Sequence, residues 1–191
     1  SAGAIADSHM NNNPQHFDVI VVGAGIVGLA HAWMALRQGL RVAVIDRDHR
    51  CVGASIRNFG FVTVTGQRAG DTWRRALRSR NLWTELAPLA GIPVVHRGLW
   101  VVAQRALALD VLAEFAGTEM GAACELHLGS QWGGLAPALR SEGTAGAMYS
   151  PHELRVESRS AIPRVAAWLR EQGVHFVWGQ EVLAIEGDVV H

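Results

Sequence analysis

Lysine is missing from this chain altogether: all 17 of its basic residues are arginine. That absence excludes a lysine Schiff base and a lysine general base from any chemistry the chain performs. Cysteine is almost as scarce. Cys51 and Cys124 stand far apart, without the spacing of a metal site or a disulfide framework, as suits a reducing cytoplasm. His96, His127, His152 and His175 show neither i,i+4 pairing nor a neighbouring cysteine pattern, so no metal site is expected. No apolar run approaches the roughly 18 residues of a membrane-spanning helix. Net charge is +0, so nothing global directs the chain to nucleic acid or to an anionic membrane surface. With 49% hydrophobic and 18% charged residues, the 191-residue chain reads as globular, and as cytoplasmic. Residues 1–15 read as a tag remnant ahead of Met10 followed by a polar lead-in, outside the fold.

What the chain does have is concentrated near its start. Asp18-Val-Ile-Val-Val-Gly-Ala-Gly-Ile-Val-Gly-Leu-Ala-His31 runs from an apolar strand through Gly23-x-Gly25-x-x-Gly28 into an apolar helix, and Val42-Ala-Val-Ile-Asp46 follows and ends on a carboxylate. That order suits a dinucleotide. Gly23 permits the tight turn, Gly25 lets the backbone approach a pyrophosphate, and Gly28 lets the helix pack closely on the strand. The free N–H groups at the helix N-terminus face the anion, and Asp46 is placed to accept hydrogen bonds from a ribose.

The expected elements are a buried strand over 17–22, a helix over 26–38 ended by Gly39, and a parallel strand over 42–46. Residues 50–60 form a loop of small and polar residues. Helices are expected over 71–89 and 106–116, and strands over 99–103 and 143–149. Ser160 is expected to cap a helix that holds Pro163 in its first turn and stops near Gly173. Val174–Trp178 then resumes the buried-strand signal as the third parallel strand. It comes far too late for a simple nicotinamide dehydrogenase, so the intervening material is an inserted helix-and-sheet layer. The fold class is therefore α/β: a Rossmann-like domain with a parallel sheet, plus part of an inserted α+β layer. Four segments result: the lead-in 1–15, a βαβ unit with its loop at 16–70, the insertion at 71–157, and a return at 158–191.

These residues resemble the N-terminal half of the FAD-dependent amine and amino-acid oxidoreductases, the superfamily of D-amino-acid oxidase, glycine oxidase and sarcosine oxidase. The resemblance rests on Asp18–Gly28, Asp46-Arg47, Gly53-Ala-Ser55, Arg97–Ala103, and Gly173-Val-x-Phe followed by Glu181-Val182. Gly53–Gly60 with Thr65-Gly-Gln67 is similar to a subgroup linked with bacterial phosphonate breakdown. The resemblance implies FAD as cofactor, with the main chain of Ile26 and Val27 on the pyrophosphate, and Asp46 and Arg47 on the adenosine ribose. Ala54, Ser55 and the turn Arg57-Asn58-Phe59-Gly60 are implied on the ribityl and flavin side, and Val182 on the adenine edge. Arg57 and Asn58 either touch the flavin or brace their own turn; the loop's descent from Asp46 favours contact. The implied reaction removes a hydride from the carbon next to an amine nitrogen of a small amino acid or aminophosphonate, giving an imine that hydrolyses. Oxygen or another acceptor reoxidises the flavin. The later strands of the family are absent, so the chain is expected to be truncated, and no catalytic residue is assigned. Two other readings share the glycine fingerprint: an NAD(P)-dependent reductase or dehydrogenase, and a non-catalytic nucleotide-binding fragment that needs a complementary chain.

Overall fold

The computed structural model describes residues 3–5, 15–187 and 189–191. The chain forms two compact units. One comprises the residues up to Phe59 with Leu86–Pro93 and Glu157–His191; the other comprises Gly60–Glu85 and Val94–Val156.

In the first unit, β1 (Gly3–Ile5) pairs antiparallel with β2 (Gln15–Phe17). The expected lead-in therefore meets the structure only at Gly3–Ile5 and Gln15; residues 1–2 and 6–14 lie outside the described residues. β3 (Val19–Val22), helix α1 (Ile26–Arg37) and β4 (Val42–Asp46) form the βαβ unit, in the register Val19↔Val42 to Val22↔Ile45. The strand expected over 17–22 is broken at Asp18. Its carboxylate is drawn out of the ladder by Arg41, whose backbone N–H (2.8 Å) and Nε (3.3 Å) both donate to Oδ2. The backbone bond, then the side-chain bond, holds the Asp18 carboxyl below its ordinary value. β3 is also only partly buried, Val22 being 52% exposed. It borders the three-stranded sheet, whereas β4 lies in the middle and buries Val42 to Ile45 completely.

α1 buries Leu29, Ala32, Trp33 and Ala35. It unwinds at Gly39, whose φ of 76° is open to glycine and strained for other residues. There Gly39 N donates to Leu36 O (2.9 Å) and Leu40 N to Ala35 O (3.2 Å).

Between β4 and the return to this sheet come β5 (Phe61–Val62), helix α2 (Asp71–Leu89), β6 (Val94–Ala103) and helix α3 (Ala106–Ala116). They are followed by β7 (Glu125–Leu128) and β8 (Gly146–Val156). Both helices occupy the expected residues, because their apolar positions recur at helical spacing within the segment itself. The strands differ. β5 and β7 carried too short an alternating pattern to be read. β8 starts at Gly146 rather than 143, since Gly143 turns with φ 75° and Thr144 Oγ1 donates to the carbonyl of Ser141 (2.8 Å). It then runs on past Pro151 to Val156.

β8 is the spine of an antiparallel sheet. β6 pairs along one side, and β7 and β5 follow each other along the other. Between Arg97↔Leu154 and Leu99↔Ser150 the ladder is irregular, so Pro151 falls where no ladder N–H is required. Trp132, Ala136 and Ala147 form an apolar cluster with Trp100, whose ring stacks on Trp132 at 5.5 Å.

The irregularity also delivers Glu153 to the interior. Its Oε1 accepts from the backbone N–H of Thr65 (2.6 Å) and Val64 (3.3 Å). Burial pushes the carboxyl up, but donors from Ser150, Thr65 and Val64 outweigh it and hold the group below its ordinary 4.5. A depressed folded value means that this carboxylate stabilises the fold above pH 4.5, and that the contribution fades as pH falls through the lower folded value. Urea midpoints from pH 7 to 3 should therefore fall more steeply for the native protein than for Glu153→Gln; parallel curves would refute the assignment.

Helix α4 (Ser158–Glu171) and β9 (His175–Trp178) complete the first unit's sheet, with β9 parallel to β4 in the register Ala43↔His175 to Asp46↔Trp178. The late third strand is thus where the sequence places it. The helix start is corrected. Glu157, not Ser160, caps α4, its carboxylate accepting from Arg159 N (3.3 Å), while Ser160 Oγ donates to Glu157 O (3.2 Å). Ser158 Oγ is occupied by Asn58 O (2.7 Å), and Pro163 falls in the second turn. β10 (Ile185–Glu186) and β11 (Val189–Val190) close the chain as a short hairpin, with β11 parallel to β1. Among the described residues, no helix is long and apolar enough to cross a membrane.

Candidate functional site

The carboxyl ends of β3 and β4 and the amino end of α1 border one cavity of about 350 Å3. Ligands of open α/β sheets bind at this edge, because the helix there presents N–H groups that have no carbonyl one turn back. Gly23 starts the turn with φ 99°, its N–H donating to Ile45 O (2.7 Å). Gly28 sits beneath it: a Cβ there would collide with the carbonyl oxygen of Gly23, so the helix can approach the turn this closely only with glycine.

Gly25 is the N-cap of α1 and offers no side chain to it, and the first turn holds no acidic residue. The Ile26 N–H donates to Ser55 Oγ (3.0 Å), which links the helix start to the loop after β4. A Cβ on Gly25 would lie 3.2 Å from that same hydroxyl.

Asp46 ties the turn to the strand tip. Its Oδ2 accepts from Ala24 N (2.6 Å) and its Oδ1 from Asp48 N (2.9 Å). The Asp46 carbonyl accepts from Gln180 N (3.1 Å), which brings Gln180 and Val182 to the rim. Cys51 Sγ points at Ala24 O (3.6 Å). Burial, reinforced by the charge of Asp46, pushes its thiol up, so it stays neutral and poorly nucleophilic at physiological pH.

Six of the expected site residues line this cavity: Gly23, Gly25, Asp46, Arg47, Ser55 and Val182. Ile26, Val27 and Gly28 form the helix turn beside it. Ala54, Arg57, Asn58, Phe59 and Gly60 lie outside the lining. A single helical turn over Ala54–Ile56 carries the chain away, and Asn58 Nδ2 donates back to Ser55 O (2.9 Å) and Ala54 O (3.3 Å), bracing that turn. Arg57 and Phe59 are exposed, Phe59 at 78%, and Gly60 is buried with φ 72°. Ala24, Asp48 and Gln180 were not legible as site residues. Each acts through a backbone N–H, which leaves no mark on residue type.

The donor set fits a dinucleotide: a helix N-terminus whose own N-cap has no side chain, for a diphosphate, a glycine whose missing side chain leaves the approach open, and a carboxylate within the same cavity.

The sequence profile described as FAD dependent oxidoreductase matches residues 18–191. Among solved structures, glycine oxidase from Geobacillus kaustophilus superposes with a TM-score of 0.74 at 24% identity, over 89% of this chain and 48% of that one. Dithionite-reduced L-alpha-glycerophosphate oxidase from Mycoplasma pneumoniae, with FAD bound, superposes at 0.72 and 17% identity, over 88% and 46%. Among sequence relatives, one polypeptide of the opine oxidase of Rhizobium meliloti is 42% identical over 50 residues, 26% of this chain and 14% of that protein. The chain spans about half the length of the solved structures it matches, and less of that sequence relative.

Proposed function

Because the chain belongs to the FAD-dependent oxidoreductase family, we propose that it is the FAD-binding part of an enzyme that oxidises a small amine, an amino acid or an aminophosphonate. The observation that carries this is the start of α1, where Gly25 supplies no capping side chain and stands open beside Ser55, with Asp46 in the same cavity. The main chain of Ile26 and Val27 meets the diphosphate, with Ser55 Oγ, which already takes the Ile26 N–H, at its edge. Asp46, with Arg47, takes the adenosine ribose while keeping the turn in place through Ala24. Val182 meets the adenine edge through its main chain. Ala54, Ser55 and the turn from Arg57 to Gly60 serve the ribityl and flavin side.

The chemistry supplied by bound FAD is acceptance of a hydride from the carbon next to the amine nitrogen, leaving an imine that hydrolyses in water. The protein's own contribution is to orient the dinucleotide and to keep its diphosphate charge on fixed N–H donors. An amine must shed its proton before that carbon becomes a hydride donor, so the rate is expected to rise with pH.

Anaerobic mixing of the FAD-loaded polypeptide that carries this chain with amino acids and aminophosphonates tests the reading. Loss of the oxidised flavin's visible absorbance is the expected result. A flavin that keeps its colour with every amine refutes amine oxidation, and a protein that retains NAD(P) and no flavin refutes the cofactor as well.

A further inference from the structure

The second unit carries a cavity of about 550 Å3 that the proposed FAD site does not use. Its floor is one face of the antiparallel sheet. Phe61 of β5 and His96 of β6 each pair with Arg155 of β8, so their side chains rise on the same side. Glu153 of β8 also lines the cavity. Trp100 and the 135–139 segment complete the lining. Phe61, Leu135 and Leu139 are large apolar side chains left exposed, at 63%, 64% and 43%. Grouped exposure of this kind marks a binding surface more often than scattered leucines do. The Arg155 guanidinium lies 5.8 Å from the Phe61 ring centroid.

Glu153 is the unusual member. The residue is 5% exposed, its Oε1 is spent on the N–H groups of Val64 and Thr65, and its Oε2 has no hydrogen-bond partner. The nearby donors that keep it below its ordinary value also keep it charged at neutral pH. A buried carboxylate oxygen without a donor is costly, and a cationic N–H is the group that satisfies it best. The volume lies in the range of small-molecule sites and has mostly apolar walls.

We propose that this face binds an organic ammonium bearing an apolar group, the ammonium donating to Glu153 Oε2 and the apolar body lying against Phe61, Trp100, Leu135 and Leu139. Its identification with the enzyme's substrate rests on the amine-oxidation reading; the binding itself does not. Arg155, on the same face, disfavours a second positive charge on the ligand, so a monocation is specified.

The test titrates the full chain by calorimetry with 2-phenylethylammonium and, as a neutral counterpart, 3-phenyl-1-propanol. The ammonium should bind about tenfold tighter than the alcohol or better. Glu153→Gln, which keeps an oxygen for Val64 and Thr65, should erase that preference and leave alcohol binding unchanged. Leu139→Trp, at a half-exposed position, should weaken both ligands by filling the cavity without disturbing the fold. Absence of binding, equal affinities in the native protein, or a folded Glu153→Gln variant that still prefers the ammonium would overturn the proposal. Leu139→Trp leaving both affinities unchanged would place the ligand elsewhere and overturn it too. Because the readout needs neither flavin nor turnover, failure of amine oxidation leaves this result standing. Conversely, flavin bleached by amines in a protein without ammonium preference removes this site alone.

Discussion

Gly25→Val should abolish retention of FAD, with affinity falling at least about 100-fold, while the chain stays folded. The backbone is not the obstacle, since Gly25 has a φ of −75° that any residue adopts. The obstacle is space. The first carbon of a side chain already stands 3.2 Å from Ser55 Oγ, and the two methyls of valine would press into Ser55 or into the path of the diphosphate. Pushing Ser55 aside also breaks its bond to Ile26 N and frees the loop that approaches the helix start. Gly25→Ala, which asks for a shift of only a few tenths of an ångström, should lose far less. Flavin absorbance after purification, with titration of the apoprotein, checks both variants. A valine variant with native FAD content would show that the diphosphate does not pass this residue.

Asp46→Ala should weaken FAD by about one to two decades and lower the melting temperature of the apoprotein as well. Each hydrogen bond to a charged acceptor contributes on the order of 1.5–3 kcal/mol, and a tenfold change in affinity corresponds to about 1.4 kcal/mol. Read from the sequence alone, Asp46 serves the ribose. In the structure it also accepts from Ala24 and Asp48, so the carboxylate shapes the turn before any ligand arrives. The two roles separate in the measurement. Weaker FAD with an unchanged apoprotein melt would assign Asp46 to the ribose alone. A lowered melt with unchanged FAD affinity would assign it to the turn alone. Asp46→Asn, which keeps one acceptor oxygen, should fall between the native protein and alanine in both readouts.

The parts of the fold that were legible are those whose reason lies within a short stretch of chain. The helices Asp71–Leu89 and Ala106–Ala116 carry their own apolar periodicity, and Gly39 carries its own stop signal. The strand His175–Trp178 was legible for a different reason: a parallel sheet needs an apolar run, and Val174–Trp178 supplies one directly after a helix. Ser160 shows where such reasoning fails. As a residue it is a good cap, but Glu157 reaches the open N–H first, and Ser158 is held from outside the helix by the carbonyl of Asn58. That competition is decided by a contact across 100 residues of chain, which no local pattern contains.

The site divides along the same line. The order of glycines, the apolar strand before them and the acid after the next strand were enough to point to a dinucleotide-binding βαβ unit, and the chain's family agrees with that. That information is local because glycine acts by what it lacks, and because a βαβ unit places its parts by chain length alone. Chain packing, by contrast, is what closes Ser55 on Ile26, returns Gln180 to the carbonyl of Asp46, and brings Glu153 to Val64 and Thr65. These partners lie tens of residues apart, and several of them meet through main-chain groups that every residue shares. Hydrogen bonds of that kind are set by where strands pair and where they slip, so they exist only once the sheet does.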